Sequence, residues 1–180
     1  EDGYQMEAEM VINAAGLFSD RVAAMVGIDI DEADYRLHYC KGEYYKTSKI
    51  KNLPHLIYPV PHPDGRSLGI HTRLHLDGTV GFGPNAYYVN DLDYQVDETH
   101  KNDFYASVSN FINIDFENLS PDDAGIRPKL QVEGGAVRDF IICEEKERNL
   151  PGFINLIGIE SPGLTCCLAI AKKVENIIQS

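Results

Sequence analysis

Two stretches of this chain set small, turn-forming residues at the ends of apolar runs, and two single residues carry side chains suited to reactive work. In the later stretch, Phe153-Ile154-Asn155-Leu156-Ile157, opened by Pro151-Gly152, reads as a buried strand. Gly158-Ile159-Glu160-Ser161-Pro162-Gly163-Leu164-Thr165 reads as a turn, and Leu164, Cys167, Leu168, Ala171, Val174 and Ile178 recur at helical spacing. A strand, a glycine-bearing turn and a helix gather bare backbone N–H groups and the positive end of a helix dipole at one place, which suits negative charge. Pro162 is tolerated where its N–H would be unpaired anyway, and Gly163 lets a flat ligand approach the main chain. A plain strand-loop-helix connection accounts for the same letters. The earlier stretch runs as a strand from Gln5 to Ile12, then Asn13-Ala14-Ala15-Gly16, then a helix through Leu17, Val22, Met25 and Val26 closed by Gly27. Small residues at such a junction admit a ligand or a packed backbone equally well.

Arg127, stiffened by Pro128, offers a planar two-pronged donor that suits a carboxylate. Histidine is by default the side chain that changes charge near neutrality, so His71 suits a proton acceptor. Each also fits a structural part, Arg127 as a surface ion pair and His71 as a satisfied polar residue. No metal is expected: His71 and His75 on a strand would stand roughly 13 Å apart, too far to share an ion. Gly81-Phe82-Gly83-Pro84-Asn85-Ala86 fits the letters of a dinucleotide fingerprint, but Pro84 sits in the turn and no helical period follows, so it is rejected as a phosphate loop.

The elements that must position these residues follow from the remaining pattern. Residues 28–34 form an acidic connector and a boundary. Tyr35 to Ser48 alternates as a strand with Gly42 as a bulge or close-approach point. Leu56 to Pro61 reads as a strand, His62 to Arg66 as a turn, and Ser67–Leu74 and Thr79–Gly83 as two strands joined by Asp77-Gly78. Asp97 to Ile114 reads as a helix with Phe104, Val108, Phe111 and Ile112 on one face. Ser120-Pro121-Asp122-Asp123 opens a short turn or helix. Residues 124–130 and 140–142 are strands linked through Gly134-Gly135. The whole is an α/β (α+β) chain: 1–34 and 150–180 form one part, and 35–149 an inserted antiparallel sheet.

The 180 residues are 43% hydrophobic with a formal net charge of −12, enough for a core and opposed to nucleic-acid or anionic-membrane surfaces. No apolar run is long enough to cross a bilayer. Four cysteines without C-x-x-C spacing read as reduced thiols in a cytoplasmic setting. Glu1-Asp2-Gly3-Tyr4 reads as the turn of a hairpin whose first strand is missing, so the chain is expected to be a fragment of a longer protein.

The wording of the two turns carries a resemblance. Gly-x-x-Ser-Pro-Gly-Leu-Thr at 158–165 and Val-Ile-Asn-Ala-Ala-Gly-Leu at 11–17 resemble FAD-contacting segments of the D-amino-acid-oxidase type of FAD-dependent oxidoreductases. Leu56–Pro61, Leu68–Arg73, Asp77–Ala86 and Gly125–Pro128 are similar in order and spacing to the L-2-hydroxyglutarate dehydrogenase/oxidase branch. The resemblance covers nearly all of the chain and is weakest from Tyr87 to Asp123. It implies FAD as cofactor, part of a Rossmann-like FAD domain with an inserted substrate domain, and a small hydroxy acid as substrate. It implies cofactor contacts at Asn13, Ala14, Ala15, Gly16, Gly158, Ser161, Pro162, Gly163, Leu164 and Thr165. Arg127 would hold the substrate carboxylate and His71 would take the hydroxyl proton. Oxygen or a quinone would receive the electrons, the latter placing the protein peripherally at the inner membrane. The Gly-rich phosphate loop would lie upstream of residue 1, and this piece alone is expected to be inactive. Two other readings stay open: an amine oxidase of the glycine or sarcosine type, or a glycerol-3-phosphate dehydrogenase; and a non-catalytic binding domain. The flavoenzyme reading requires 13–16 and 161–164 to come together around one flat slot facing His71 and Arg127.

Overall fold

A computed structural model describes residues 3–51, 53–60 and 69–180. The expected turn at 62–66 and the start of the strand at 67 lie outside the described residues. In chain order the elements are β1 (Val11–Asn13), α1 (Ser19–Met25), β2 (His38–Thr47), β3 (His71–Leu74), β4 (Val80–Gly83), β5 (Tyr87–Val89), α2 (Lys101–Val108), β6 (Ser120–Lys129), β7 (Ile141–Glu144), β8 (Phe153–Ile157) and α3 (Cys167–Ile178). The chain divides into two units, 1–39 with 127–180, and 40–126.

The first unit is built on a three-stranded sheet of order β1-β8-β7. β8 is parallel to β1, with Val11, Ile12 and Asn13 opposite Phe153, Ile154 and Asn155, and antiparallel to β7. Being central, β8 reads as an almost unbroken apolar run, as buried strands do. Its Phe153 and Ile157 pack with Ala23 of α1 and with Ile28, Tyr35, Leu37 and Leu130. The alternation predicted for 5–12 becomes a strand only from Val11, because residues 5–9 are exposed, Met10 is only partly covered, and none of them has a strand beside it among the described residues.

The second unit is a mixed-length antiparallel sheet of order β3-β4-β2-β5, with β6 paired to β2. Its core is Tyr45, Val80, Phe82, Phe104, Val108, Ile112, Ile114 and Leu119. α2 enters it through Phe104, whose ring lies 4.6 Å from that of Tyr45. The Asp77-Gly78 turn joins β3 to β4, with Gly78 N–H donating to His75 O at 3.0 Å. The helix predicted over 97–114 is a 3-10 turn at Glu98–His100 followed by α2, which stops at Val108. Residues 56–60 are not a strand, although Ile57 and Thr72 exchange backbone and hydroxyl hydrogen bonds of 3.0 and 2.7 Å.

Two polar clusters fasten this sheet. Glu43, wholly buried, accepts from Tyr87 Oη (2.6 Å), Asp97 N–H (2.9 Å), His100 Nδ1 (2.6 Å) and Asn85 Nδ2 (3.1 Å). Burial pushes its carboxyl up, but these bonds outweigh it and hold the group below its ordinary value. Asp122 is gripped by Arg73 Nη2 at 2.5 Å and Lys46 Nζ at 2.9 Å, with His75 Nε2 3.0 Å away but outside hydrogen-bond geometry. Here too burial raises the carboxyl and the cations lower it further. Arg73, Gly81 and Lys46 are opposite one another on β3, β4 and β2. A Cβ on Gly81 would lie 2.9 Å from His75 Nε2 and 3.3 Å from Arg73 Nε. The glycine of the rejected fingerprint therefore leaves room for side chains reaching across the sheet. The same ion pairs correct the helix expected at Ser120. Asp122 is needed on a strand, and Pro121 is tolerated because β6 is paired only to β2 among the described strands.

Candidate active site

The register of β1 against β8 builds the site. Asn13 and Asn155 are opposite each other at the carboxyl ends of parallel neighbours, so Ala14-Ala15-Gly16 and Gly158 onward leave the sheet at one edge. A crevice outside the carboxyl ends of parallel strands is where α/β proteins hold ligands. The edge is pinned by a buried network. Asn13 Nδ2 donates to Asn155 Oδ1 and to Ser19 O, each at 2.7 Å, and its Oδ1 accepts from Ala15 N–H at 3.3 Å. Asn155 Nδ2 donates to Glu145 Oε1 at 2.7 Å, which also accepts from Tyr35 Oη at 2.8 Å. Arg148 Nη1 lies 3.1 Å from Glu145 Oε2 and balances the buried charge. Burial and the bonded Cys143 and Glu145 push the Tyr35 phenol far above its ordinary value, so it stays a donor. The side chain of Asn13 is thus spent inside the protein, shaping the turn that follows it.

Gly16 has φ +56°, and a Cβ there would meet no atom within 4 Å, so the main chain faces open space. Gly158 is different: with φ +72°, a Cβ would lie 2.5 Å from Leu130 Cγ. Beyond it the turn closes on itself. Gly163 N–H donates to Glu160 O at 2.5 Å, Thr165 Oγ1 to Pro162 O at 2.8 Å, and Cys166 N–H to Pro162 O at 3.1 Å, with Ser161-Pro162 cis. The helix expected to open at Pro162 starts at Cys167. Gly163 N–H is consumed within the turn, while those of Leu164 and Thr165 donate to no described residue. Leu164 and Leu168, placed by periodicity on the buried face, are 88% and 83% exposed; Val174 carries that face instead. The hydroxyl of Ser19, at the start of α1, is buried and has no hydrogen-bond partner among the described residues.

Arg127 belongs to the same unit and reaches the turn. Its Nη1 lies 3.8 Å from Glu160 Oε2, while Lys129 Nζ holds Glu160 Oε1 at 2.6 Å. His71 belongs to the second unit. Its Nδ1 is 3.0 Å from Gly69 O; a carbonyl only accepts, so Nδ1 carries the proton and Nε2 of the neutral ring keeps its lone pair. Tyr58 stacks on the ring at 4.4 Å between centroids. Both border a recess of about 350 Å³ with Tyr44, Leu56 and Arg73. Arg73 lies 4.1 Å over the Tyr44 ring, and its charge is already met by Asp122 and Asp123. Sequence reasoning missed Lys129, Glu160, Asn155 and Tyr58. Lys129 alone had a signal, since it alternates with Arg127 on one strand and so shares its side. Among the described residues no three His, Cys, Asp or Glu side chains gather as a metal site, and no helix is long and apolar enough to cross a membrane.

Parallel strands whose carboxyl ends open into two turns at one edge, with an antiparallel sheet inserted between them in the chain, define an α/β architecture of the kind that holds ligands at such an edge. The chain belongs to the DAO family, described as FAD dependent oxidoreductase, whose model matches residues 1–176. It is similar to the mitochondrial L-2-hydroxyglutarate dehydrogenase of Arabidopsis thaliana, 35% identical over 93% of this chain and 37% of that protein. It is also similar to a glycerol 3-phosphate dehydrogenase of Caloramator mitchellensis, 29% identical over 97% of this chain and 34% of that protein. Among solved structures, the dithionite-reduced, FAD-bound L-alpha-glycerophosphate oxidase of Mycoplasma pneumoniae shares the fold, with TM-score 0.77 and 23% identity over 99% of this chain and 46% of that one. Glycine oxidase of Geobacillus kaustophilus does so with TM-score 0.70 and 18% identity, over 99% of this chain and 43% of that one. The chain thus spans less than half the length of each of these relatives.

Proposed function

We propose that this chain is the part of an FAD-dependent oxidoreductase that completes the flavin site and carries substrate residues for a small 2-hydroxy acid of the L-2-hydroxyglutarate kind. The observation that carries the reading is the register of Asn13 against Asn155, which sets the two family turns at one edge. The residues fit the cofactor: Gly16 presents open main chain, and Leu164 and Thr165 present unspent N–H groups to an electron-rich ring edge. Ala14, Ala15, Ser161 and Pro162 line these turns, while Asn13, Gly158 and Gly163 shape them. In this reading residues 1–34 and 150–180 hold the flavin, and 35–149 serve the substrate.

When bound, FAD supplies a hydride acceptor. Each substrate residue is proposed on its own chemistry: the Arg127 guanidinium, in the first unit, would suit a carboxylate, and His71 Nε2, in the second, would suit a hydroxyl proton, its tautomer set by Gly69 O. Oxygen or a quinone then takes the electrons. The likeness to the Arabidopsis thaliana enzyme supports the hydroxy acid, and the likeness to the Caloramator mitchellensis enzyme supports a glycerol phosphate as the second reading. The test is His71→Gln in the FAD-loaded enzyme. Loss of L-2-hydroxyglutarate turnover by about 10²–10⁴-fold supports the proton acceptor. Unchanged turnover removes His71 from the chemistry, and a flavin-free protein removes the reading as a whole.

A further inference from the structure

Glu160 sits between two cations on alternate residues of β6, and it does not share itself equally. Lys129 Nζ takes Glu160 Oε1 at 2.6 Å, whereas Arg127 Nη1 stays 3.8 Å from Oε2 and makes no hydrogen bond to a described residue. Side-chain exposure follows the same order: 14% for Glu160 and 18% for Lys129, against 42% for Arg127. Two positive charges and one negative leave a net +1, and the exposed, unbonded share of it is on the guanidinium. A compact ammonium suits the role of holding a carboxylate as a point charge, while the planar fork is left for a two-pronged partner.

We propose that Lys129 is a positioning residue: by holding Glu160, it keeps that carboxylate off Arg127 and so leaves the guanidinium to bind the carboxylate of a small acid. This rests on the reading of Arg127 given above. Without Lys129, Glu160 is a largely buried carboxylate whose nearest remaining cation is Arg127, and it closes on the guanidinium as an internal competitor for the substrate. The site then presents no net charge. Lys129 therefore acts on affinity for the anion and touches no reacting atom.

The experiment is a cycle in the FAD-loaded enzyme with L-2-hydroxyglutarate as substrate. Lys129→Met should raise KM roughly tenfold, the scale of one charge-assisted hydrogen bond lost to competition, with kcat held within about twofold. Adding Glu160→Gln should restore KM, since the competitor is gone, and Lys129→Arg should keep it. A second readout needs no turnover: the Arg127 Nε–H resonance of the 180-residue chain should shift and exchange more slowly in Lys129→Met, and revert in the double variant. If Arg127→Met raises KM while Lys129→Met leaves both KM and the Arg127 resonance unchanged, the positioning role is overturned and the carboxylate reading stands. If Arg127→Met leaves KM unchanged, the carboxylate reading itself fails.

Discussion

Gly158→Ala separates a glycine required by packing from one required by a ligand. Two costs add at this position. At φ +72° an alanine sits in the left-handed region, at about 1–2 kcal/mol. Its Cβ would also lie 2.5 Å from Leu130 Cγ and 2.6 Å from Cδ1. Leu130 is buried against Phe153 and Ile157, so it has little room to retreat, and overpacking of this kind costs about 1–3 kcal/mol. A stiffer unfolded chain returns about 0.4–1 kcal/mol, leaving a net loss of about 1–4.5 kcal/mol, centred near 3. Urea unfolding followed by far-ultraviolet circular dichroism, without cofactor, should show the midpoint fall by about 1 M or more. Leu130→Ala is the control. It costs about 2–5 kcal/mol by itself, but in its background Gly158→Ala should cost only the backbone part, a coupling of about 1–3 kcal/mol. Coincident midpoints for Gly158→Ala and the parent would refute the reasoning and return Gly158 to the group of ligand-driven glycines.

Two further outcomes follow from the polar clusters. Glu43 has a folded-state value below its ordinary 4.5, so its stabilisation is fully present above that pH and is lost as pH falls through the folded value. Unfolding midpoints should therefore drop below about pH 4.5, and Glu43→Gln should flatten that limb while lowering stability at pH 7; equal slopes for the two proteins would contradict it. Asn13→Ala leaves Asn155 Oδ1 and Ser19 O without their donor, at about 1–3 kcal/mol for each buried group. The Ala15 amide, deprived of Asn13 Oδ1, should exchange markedly faster, and an unaltered rate would mean that the turn holds its shape without Asn13.

Much of this arrangement was legible where the signal is local. The run Phe153–Ile157 between Pro151-Gly152 and Gly158, and the Asp77-Gly78 hairpin, are specified by residues that touch one another in sequence. The start of α3 was misplaced because the turn after Ser161 closes through Gly163 on Glu160 and Thr165 on Pro162, using residues that pattern alone assigns to a helix. The stretch at Ser120 carries helix-start letters, yet Asp122 gains more from Arg73 and Lys46 across the sheet than Pro121 gains from a helical first turn. The grip of Lys129 on Glu160 could not be read, since residues 31 apart meet only after β6 and the turn have folded beside each other. The tautomer of His71 depends likewise on Gly69 O and on the Tyr58 ring, which periodicity does not place.

The pairing of β1 with β8 joins Asn13 to a residue 142 positions later. Closing so long a loop costs entropy before any contact rewards it, and such contacts come late in folding. In the reading proposed above, a flavin lying across both turns would work as a staple. It is accepted only by chains that have already joined their distant ends, and its binding free energy is added to that closure.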